Sequence, residues 1–230
     1  MYDDFLRQVH RSLSRRMFFR GVALAGGATA LAMTGLGLAY AQSAPFKSDL
    51  DVLNFALTLE QLEATLYNLL VGDLQTLGTG LTPTGSTGLI KNPTYYKYVS
   101  VFRDHENMHV TALTQAIQQA GGTPVQAKAH YNFPAVSDEM GAMHAIALVY
   151  EVGTSAYQGA AGFIQSKAYL TTAAAIFGVE AEHTGSMHEL LGLDPTGNSL
   201  VSGHPVLNGA FTTPLDYGTV IGIVSPILGN

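Results

Sequence analysis

The chain has no cysteine and no tryptophan. Disulfides, iron–sulfur clusters, thiolate metal ligands and cysteine nucleophiles are excluded at once. Any bound metal must be held by oxygen and nitrogen, a donor set that suits iron, manganese or zinc. Charge is scarce too: 12% of the 230 residues are Asp, Glu, Lys or Arg. Basic residues are scarcest in the body of the chain. Arg7, Arg11, Arg15, Arg16 and Arg20 lie at the start, and from residue 42 onward fifteen acids face six bases, with Arg103 the one arginine. So acidic a body excludes a nucleic-acid partner. With charges this sparse, an acid inside an apolar stretch calls for an explanation.

The first forty residues read as an address. Ser14-Arg15-Arg16-Met17-Phe18-Phe19-Arg20 resembles the twin-arginine export signal. A weakly apolar, Gly- and Ala-rich stretch follows, then Ala39-Tyr40-Ala41, an A-x-A cleavage site before Gln42. We expect a signal peptide over 1–41, the export machinery as its partner, and a mature protein in the periplasm or cell envelope. By length, 21–41 would just span a bilayer. An uncleaved signal is therefore the one expected membrane contact, and its glycines disfavour a permanent span.

Beyond it, the apolar periodicity predicts an all-α domain over 42–192 and a mostly irregular tail over 193–230. The first helix runs from about 48 to 72, ending at Gly72, before a Gly/Thr/Pro loop over 73–92. The second begins at Asn92-Pro93, a cap followed by proline at the first helical position, and stops at Gly121-Gly122. A connection over 123–136 contains Pro124 and Pro134. If extended it spans ~45 Å, enough to return along a bundle ~30 Å long. The third helix starts near Ser137-Asp138-Glu139, with the serine hydroxyl as cap. The fourth covers about 168–191, and the tail holds one short helix near 216–225 that packs on the bundle.

Each long helix carries an acid on an apolar face. Glu60 has Leu53, Ala56, Leu57 and Ala64 beside it; Glu180 has Ala173, Ile176, Phe177 and Met187. Glu151 follows Ala147 and Leu148, and Glu106 lies among Val99, Phe102, Val110 and Leu113. Arg103, one turn before Glu106, offers that acid an ion-pair partner. A lone buried carboxylate costs several kcal/mol unless paired or metal-bound. Two of the acids open a Glu-x-x-His pair, Glu106/His109 and Glu180/His183, and the three-residue step puts both side chains on one helix face. The pattern Glu, Glu-x-x-His, Glu, Glu-x-x-His supplies four carboxylates and two imidazoles. Four-helix bundles that hold two iron or manganese ions use this set.

On these residues the chain resembles the ferritin-like superfamily. It is most similar to the bacterial ferritin-like domain proteins called desiccation-related, over about 48–192. The resemblance rests on NFALTLEQLEATLY, EVGTSAYQGA and VEAEHTGSMHELL, with TTPLDYGTVIGIVSPI in the tail. It implies a bundle with a long crossover and two metal ions, iron or manganese. It also implies the ligands Glu60, Glu106, His109, Glu151, Glu180 and His183, with Tyr67 as a catalytic tyrosine near the metals. The implied chemistry acts on Fe(II), O₂ or H₂O₂, as a ferroxidase, a peroxidase or a catalase-like enzyme, in stress protection. A structural, desiccation-type bundle with a stapling or vestigial metal is the alternative. The sequence leaves open whether the chain forms a homo-oligomer.

His105-Glu106-x-x-His109 also matches the zinc-protease motif. That reading needs His105 and His109 on zinc, Glu106 as a free base, and Glu151 or Glu180 as third ligand. It leaves Glu60 and the Glu180/His183 pair unexplained. Other residues stay secondary. Glu63 is an alternative or additional ligand on helix one. Glu182 and His105 adjoin ligands and are candidates to orient them. His144 and His188 read as ordinary histidines; Tyr95, Tyr96, Tyr98, Tyr150 and Tyr157 read as packing. Gly153 marks close packing or a bulge.

Overall fold

A computed structural model describes residues 46–73, 87–194, 199–201, 207–208 and 211–229. The expected signal over 1–41 and the centre of the 73–92 loop lie outside the described residues. Four long helices form the body: α1 (Asp49–Val71), α2 (Pro93–Gln119), α3 (Glu139–Ala161) and α4 (Lys167–Leu190). A fifth, α5 (Tyr217–Leu228), follows a two-residue strand pair, β1 (Leu207–Asn208) with β2 (Phe211–Thr212). The fold is the all-α bundle that the periodicity predicts. Among the described residues no helix is long and apolar enough to cross a membrane.

Each helix begins where a side chain satisfies its free amides. Ser48 and Asp51 form a reciprocal capping box at the start of α1, and Gly72 ends that helix at φ +82°. Asn92 caps α2 ahead of Pro93. The expected serine cap on α3 is a correction: Asp138 accepts from Gly141 N at 2.8 Å. A carboxylate binds helix N-termini more strongly than a hydroxyl because the charge meets the helix dipole. The tail helix also runs longer than the expected 216–225, continuing through Pro226. Proline in the last turn removes a single hydrogen bond there, while Leu228 beyond it is buried.

Two pairings fix the direction of the helices. Asp49 of α1 accepts from Gln165 N and Ser166 N at the start of α4. Glu139 of α3 accepts from Lys91 N and Asn92 N at the start of α2. So α1 and α4 start at one end of the bundle, and α2 and α3 start at the other. The connection 120–138 must therefore traverse the bundle's length. It is pinned to α1: Asn54 exchanges hydrogen bonds with Thr123 O and Val125 N, and Gln61 donates to Val125 O. α1 packs chiefly on α2, and α3 on α4.

The core falls into three clusters. One joins α1, α3 and α5 through Phe55, Leu62, Val152 and Val224. A second gathers Tyr67, Phe102, Ile146, Tyr150 and Met187. A third holds Leu57, Leu113, Ile117, Tyr157 and Ile176. The tail docks by backbone approach: Leu215 N donates to Ser155 O, and a Cβ on Gly159 would sit 1.9 Å from Leu215 O. Gly159→Ala is thus expected to destabilise the chain by about 1–3 kcal/mol, because backbone must move. Denaturant unfolding of the variant checks this.

Candidate metal centre

The side chains of interest come from one face of each long helix. On α1, Glu60, Glu63 and Tyr67 follow at steps of three and four. On α2 the face is Phe102, Glu106, His109 and Leu113; on α4 it is Ile176, Glu180, His183 and Met187. On α3 it is Tyr150, Gly153 and Tyr157. Glu60, Glu106 and Glu180 are fully buried, and Glu63 and His183 nearly so.

His109 lies at the centre. Its Nδ1 is 3.2 Å from Glu60 Oε2, 3.1 Å from Glu106 Oε2 and 3.3 Å from Glu180 Oε1. One ligand atom from each of these four residues falls within 4.8 Å of the others. His183 Nδ1 lies 3.3 Å from Glu106 Oε1. Glu63 joins from α1: a Cβ on Gly153 would be 2.6 Å from Glu63 Oε1 and 3.7 Å from Glu180 Oε2. Gly153 therefore leaves a gap in α3 that the Glu63 carboxylate occupies, with Glu180 in contact beside it. Tyr150 donates to Glu106 Oε1 at 2.9 Å, and Tyr157 donates to Glu60 Oε1 at 2.6 Å.

The electrostatics show what this cluster lacks. Arg103, which the sequence offers to Glu106, pairs instead with Asp73 and Asp104. The cationic partners seen for the cluster's acids are histidines. Burial raises the Glu60 carboxyl to about 8 against the pull of His109. Burial, reinforced by neighbouring carboxylates, holds Glu63 and Glu180 well above the usual range. Burial also acts on Glu106, but the imidazoles of His109 and His183 beside it outweigh burial and hold that group at about 2. Burial would lower His109, yet its three carboxylate neighbours raise it to about 12.

These directions set the pH dependence of the metal-free chain. Between the ordinary glutamate value of 4.5 and about 8, folded Glu60 keeps a proton that the unfolded chain has lost. Stability therefore falls as pH rises through that window. His109 acts in the same sense between 6.5 and about 12, and Glu106 acts oppositely between about 2 and 4.5. His105, lowered by burial and by His183, opposes the trend weakly from its partly exposed position. Melting in chelator is expected to drop by at least a few degrees from about pH 5 to about pH 8. Excess Mn(II) should abolish that drop, since the cation replaces the protons. Thermal scans at both pH values, with and without Mn(II), measure this.

The atoms left unpaired fit a cation. Glu180 Oε1 and Oε2 and His183 Nδ1 are buried with no aligned hydrogen-bond partner. Buried polar groups are rarely left so. A single His109 N–H cannot serve three carboxylates. All the donors are carboxylate oxygens and imidazole nitrogens, the ligands of iron and manganese. The cluster could hold metal ions through Glu60, Glu63, Glu106, His109, Glu180 and His183.

Glu151 is not brought to this cluster. Its carboxylate, fully buried, accepts from Ser199 Oγ at 2.7 Å and Leu200 N at 2.8 Å, and Oε1 lies 2.7 Å from His188 Nε2. His188 Nδ1 in turn faces Asp194 O at 3.0 Å. The expected acid on α3 thus fastens the tail to the bundle, and α1 contributes two carboxylates instead of one. His188 is the buried partner of that acid. His144 is exposed, bonded to its own helix at Met140 O, and Glu182 is exposed.

His105 and His109 do not form a zinc-protease pair. His105 Nδ1 lies 2.9 Å from His183 Nε2 across the bundle, while His109 faces the acids, so Glu106 is no free base. Tyr67 is buried against Tyr150 at 5.1 Å, with no aligned hydrogen-bond partner for its hydroxyl. Burial and the nearby Glu63 hold its phenol well above the usual range. Tyr150 and Tyr157, read as packing, both touch the carboxylates. Their spacing around Gly153 is the signal that would have revealed α3's inward face.

No curated protein matches the chain. A protein-family model, described as a ferritin-like domain, matches residues 48–193. Those residues span all four long helices and every acid and histidine of the cluster, and the chain belongs to the ferritin-like domain family.

Proposed function

We propose that this is an exported dinuclear metal protein, an oxidoreductase that acts on Fe(II), O₂ or H₂O₂ in protection of the cell envelope. The observation that carries the reading is the charge of the centre. Four buried carboxylates and two imidazoles converge, and among the described residues their cationic partners are histidines. Two divalent cations would balance four carboxylates, and Glu106 lies beside both imidazoles. Iron or manganese, when bound, would supply the electrons that reduce O₂ or H₂O₂.

The chain's own residues set what enters. With Glu60, Glu106 and Glu180 fully buried and His109 only 12% exposed, the centre suits small oxidants and metal ions over larger substrates. If His183 Nδ1 holds a cation, its Nε2–H donates to His105 Nδ1, which fixes the ring. Export is supported by the twin-arginine pattern at Arg15-Arg16 and the Ala39-Tyr40-Ala41 site. A route that carries folded proteins suits a chain that must be loaded with its metal first.

Fe(II) oxidation and H₂O₂ consumption by iron- and manganese-loaded protein test the activity. We expect turnover in the parent and a loss of at least 100-fold in His183→Ala. Equal rates in both would refute the reading. Metal uptake with no turnover under either oxidant would leave a structural, stapling role.

A further inference from the structure

Two tyrosines of α3 stand in a matched relation to the two acids that face His109. Tyr157 donates to Oε1 of Glu60, and Tyr150 donates to Oε1 of Glu106. In both acids the other oxygen, Oε2, is the one turned to His109 Nδ1, at 3.2 Å and 3.1 Å. Both phenols come from one helix, seven residues apart, with Gly153 between them. Both are buried, Tyr150 fully.

We propose that Tyr150 and Tyr157 are positioning residues that hold Glu106 and Glu60, respectively, with Oε2 presented to a metal on the His109 side. This rests on the metal-centre reading above. A carboxylate is free to rotate about its terminal torsion and to bind a cation through one oxygen or both. A phenol hydrogen on Oε1 removes that freedom. It holds the plane of the group, occupies one lone pair of Oε1, and leaves Oε2 as the stronger donor on the His109 side, while Oε1 of Glu106 keeps its second lone pair beside His183 Nδ1 at 3.3 Å. Outer hydrogen bonds of this kind commonly change metal affinity 10- to 100-fold. α3, which supplies no carboxylate to the cluster, thereby governs two that come from α1 and α2. Tyr67 does not share the role: its hydroxyl has no aligned partner.

Tyr150→Phe and Tyr157→Phe keep the rings and remove the hydrogen bonds. The test is Mn(II) titration and the Co(II) ligand-field spectrum of the full chain, parent beside both variants. Tyr131→Phe serves as control, since Tyr131 is a buried tyrosine whose hydroxyl instead accepts from Lys128 N. We expect Mn(II) affinity to fall about 10- to 100-fold in each α3 variant, and the Co(II) spectrum to change. The control should match the parent. A parent that binds Mn(II) and Co(II), with both α3 variants identical to it, overturns the assignment alone. A fall of equal size in Tyr131→Phe also overturns it, by showing a general packing effect. A parent that binds neither ion overturns the metal reading and this assignment together.

Discussion

Glu106→Ala is expected to empty the centre. Of the cluster's acids among the described residues, Glu106 has the most connections: His109 at 3.1 Å, His183 at 3.3 Å and the Tyr150 hydroxyl at 2.9 Å. It is also the acid that the histidines keep ionised most firmly. Removing it takes away the carboxylate that lies within 3.3 Å of both His109 and His183. In the parent, metal at 100 times its dissociation constant adds about 2.7 kcal/mol of stability per site. The variant should gain close to none, and its melting temperature should be the same with Mn(II) as with chelator. The fold should persist, because three raised carboxyls can carry protons in place of metal. Differential scanning calorimetry with and without Mn(II) checks both statements. A variant still stabilised by metal as strongly as the parent would remove Glu106 from the centre.

Glu151→Ala is expected to do the reverse. It should cost about 3–5 kcal/mol of stability, the usual penalty for breaking a buried ionic pair from one side. The geometry explains the size. Asp194 O can only accept, so His188 Nδ1 must donate to it, and Nε2 faces the carboxylate at 2.7 Å. Both ring nitrogens of His188 are thus engaged, one by a tail carbonyl and one by the buried acid. Deleting the acid strands His188 and releases the amide of Leu200 and the hydroxyl of Ser199 from Glu151. Metal content per folded chain should stay at the parent's value. Denaturant unfolding and elemental analysis of the folded fraction make the comparison. Loss of metal with little loss of stability would return Glu151 to the centre.

These two substitutions separate what was legible in the sequence from what was not. Helix positions were legible because their signals are local. Asn92-Pro93, Gly72 and Gly121 act within a turn of where they stand. The crossover was legible as a length, though its direction rests on Asp49 and Glu139, whose partners lie far off in sequence. The two Glu-x-x-His pairs could be seen because a helix puts residues three apart on one face. Glu151 was misassigned for the same local reason. Apolar neighbours correctly implied burial, but burial does not say which interior direction a side chain takes. At about 100° per residue, Glu151 points well away from the Tyr150–Gly153–Tyr157 face. Its partners at Ser199 and Leu200 belong to the tail, about fifty residues later. Glu63 was left as an option because a helix can present two acids one turn apart to the same centre. The space for the second is made by Gly153 on another helix, and no spacing rule on α1 contains that.

Native mass spectrometry of the folded chain, loaded with Fe(II) or Mn(II) and desalted, decides whether the bundle gathers two metal ions. We expect two ions per chain, and none in Glu106→Ala. One zinc per chain, or no metal in a parent chain that stays folded, would contradict this.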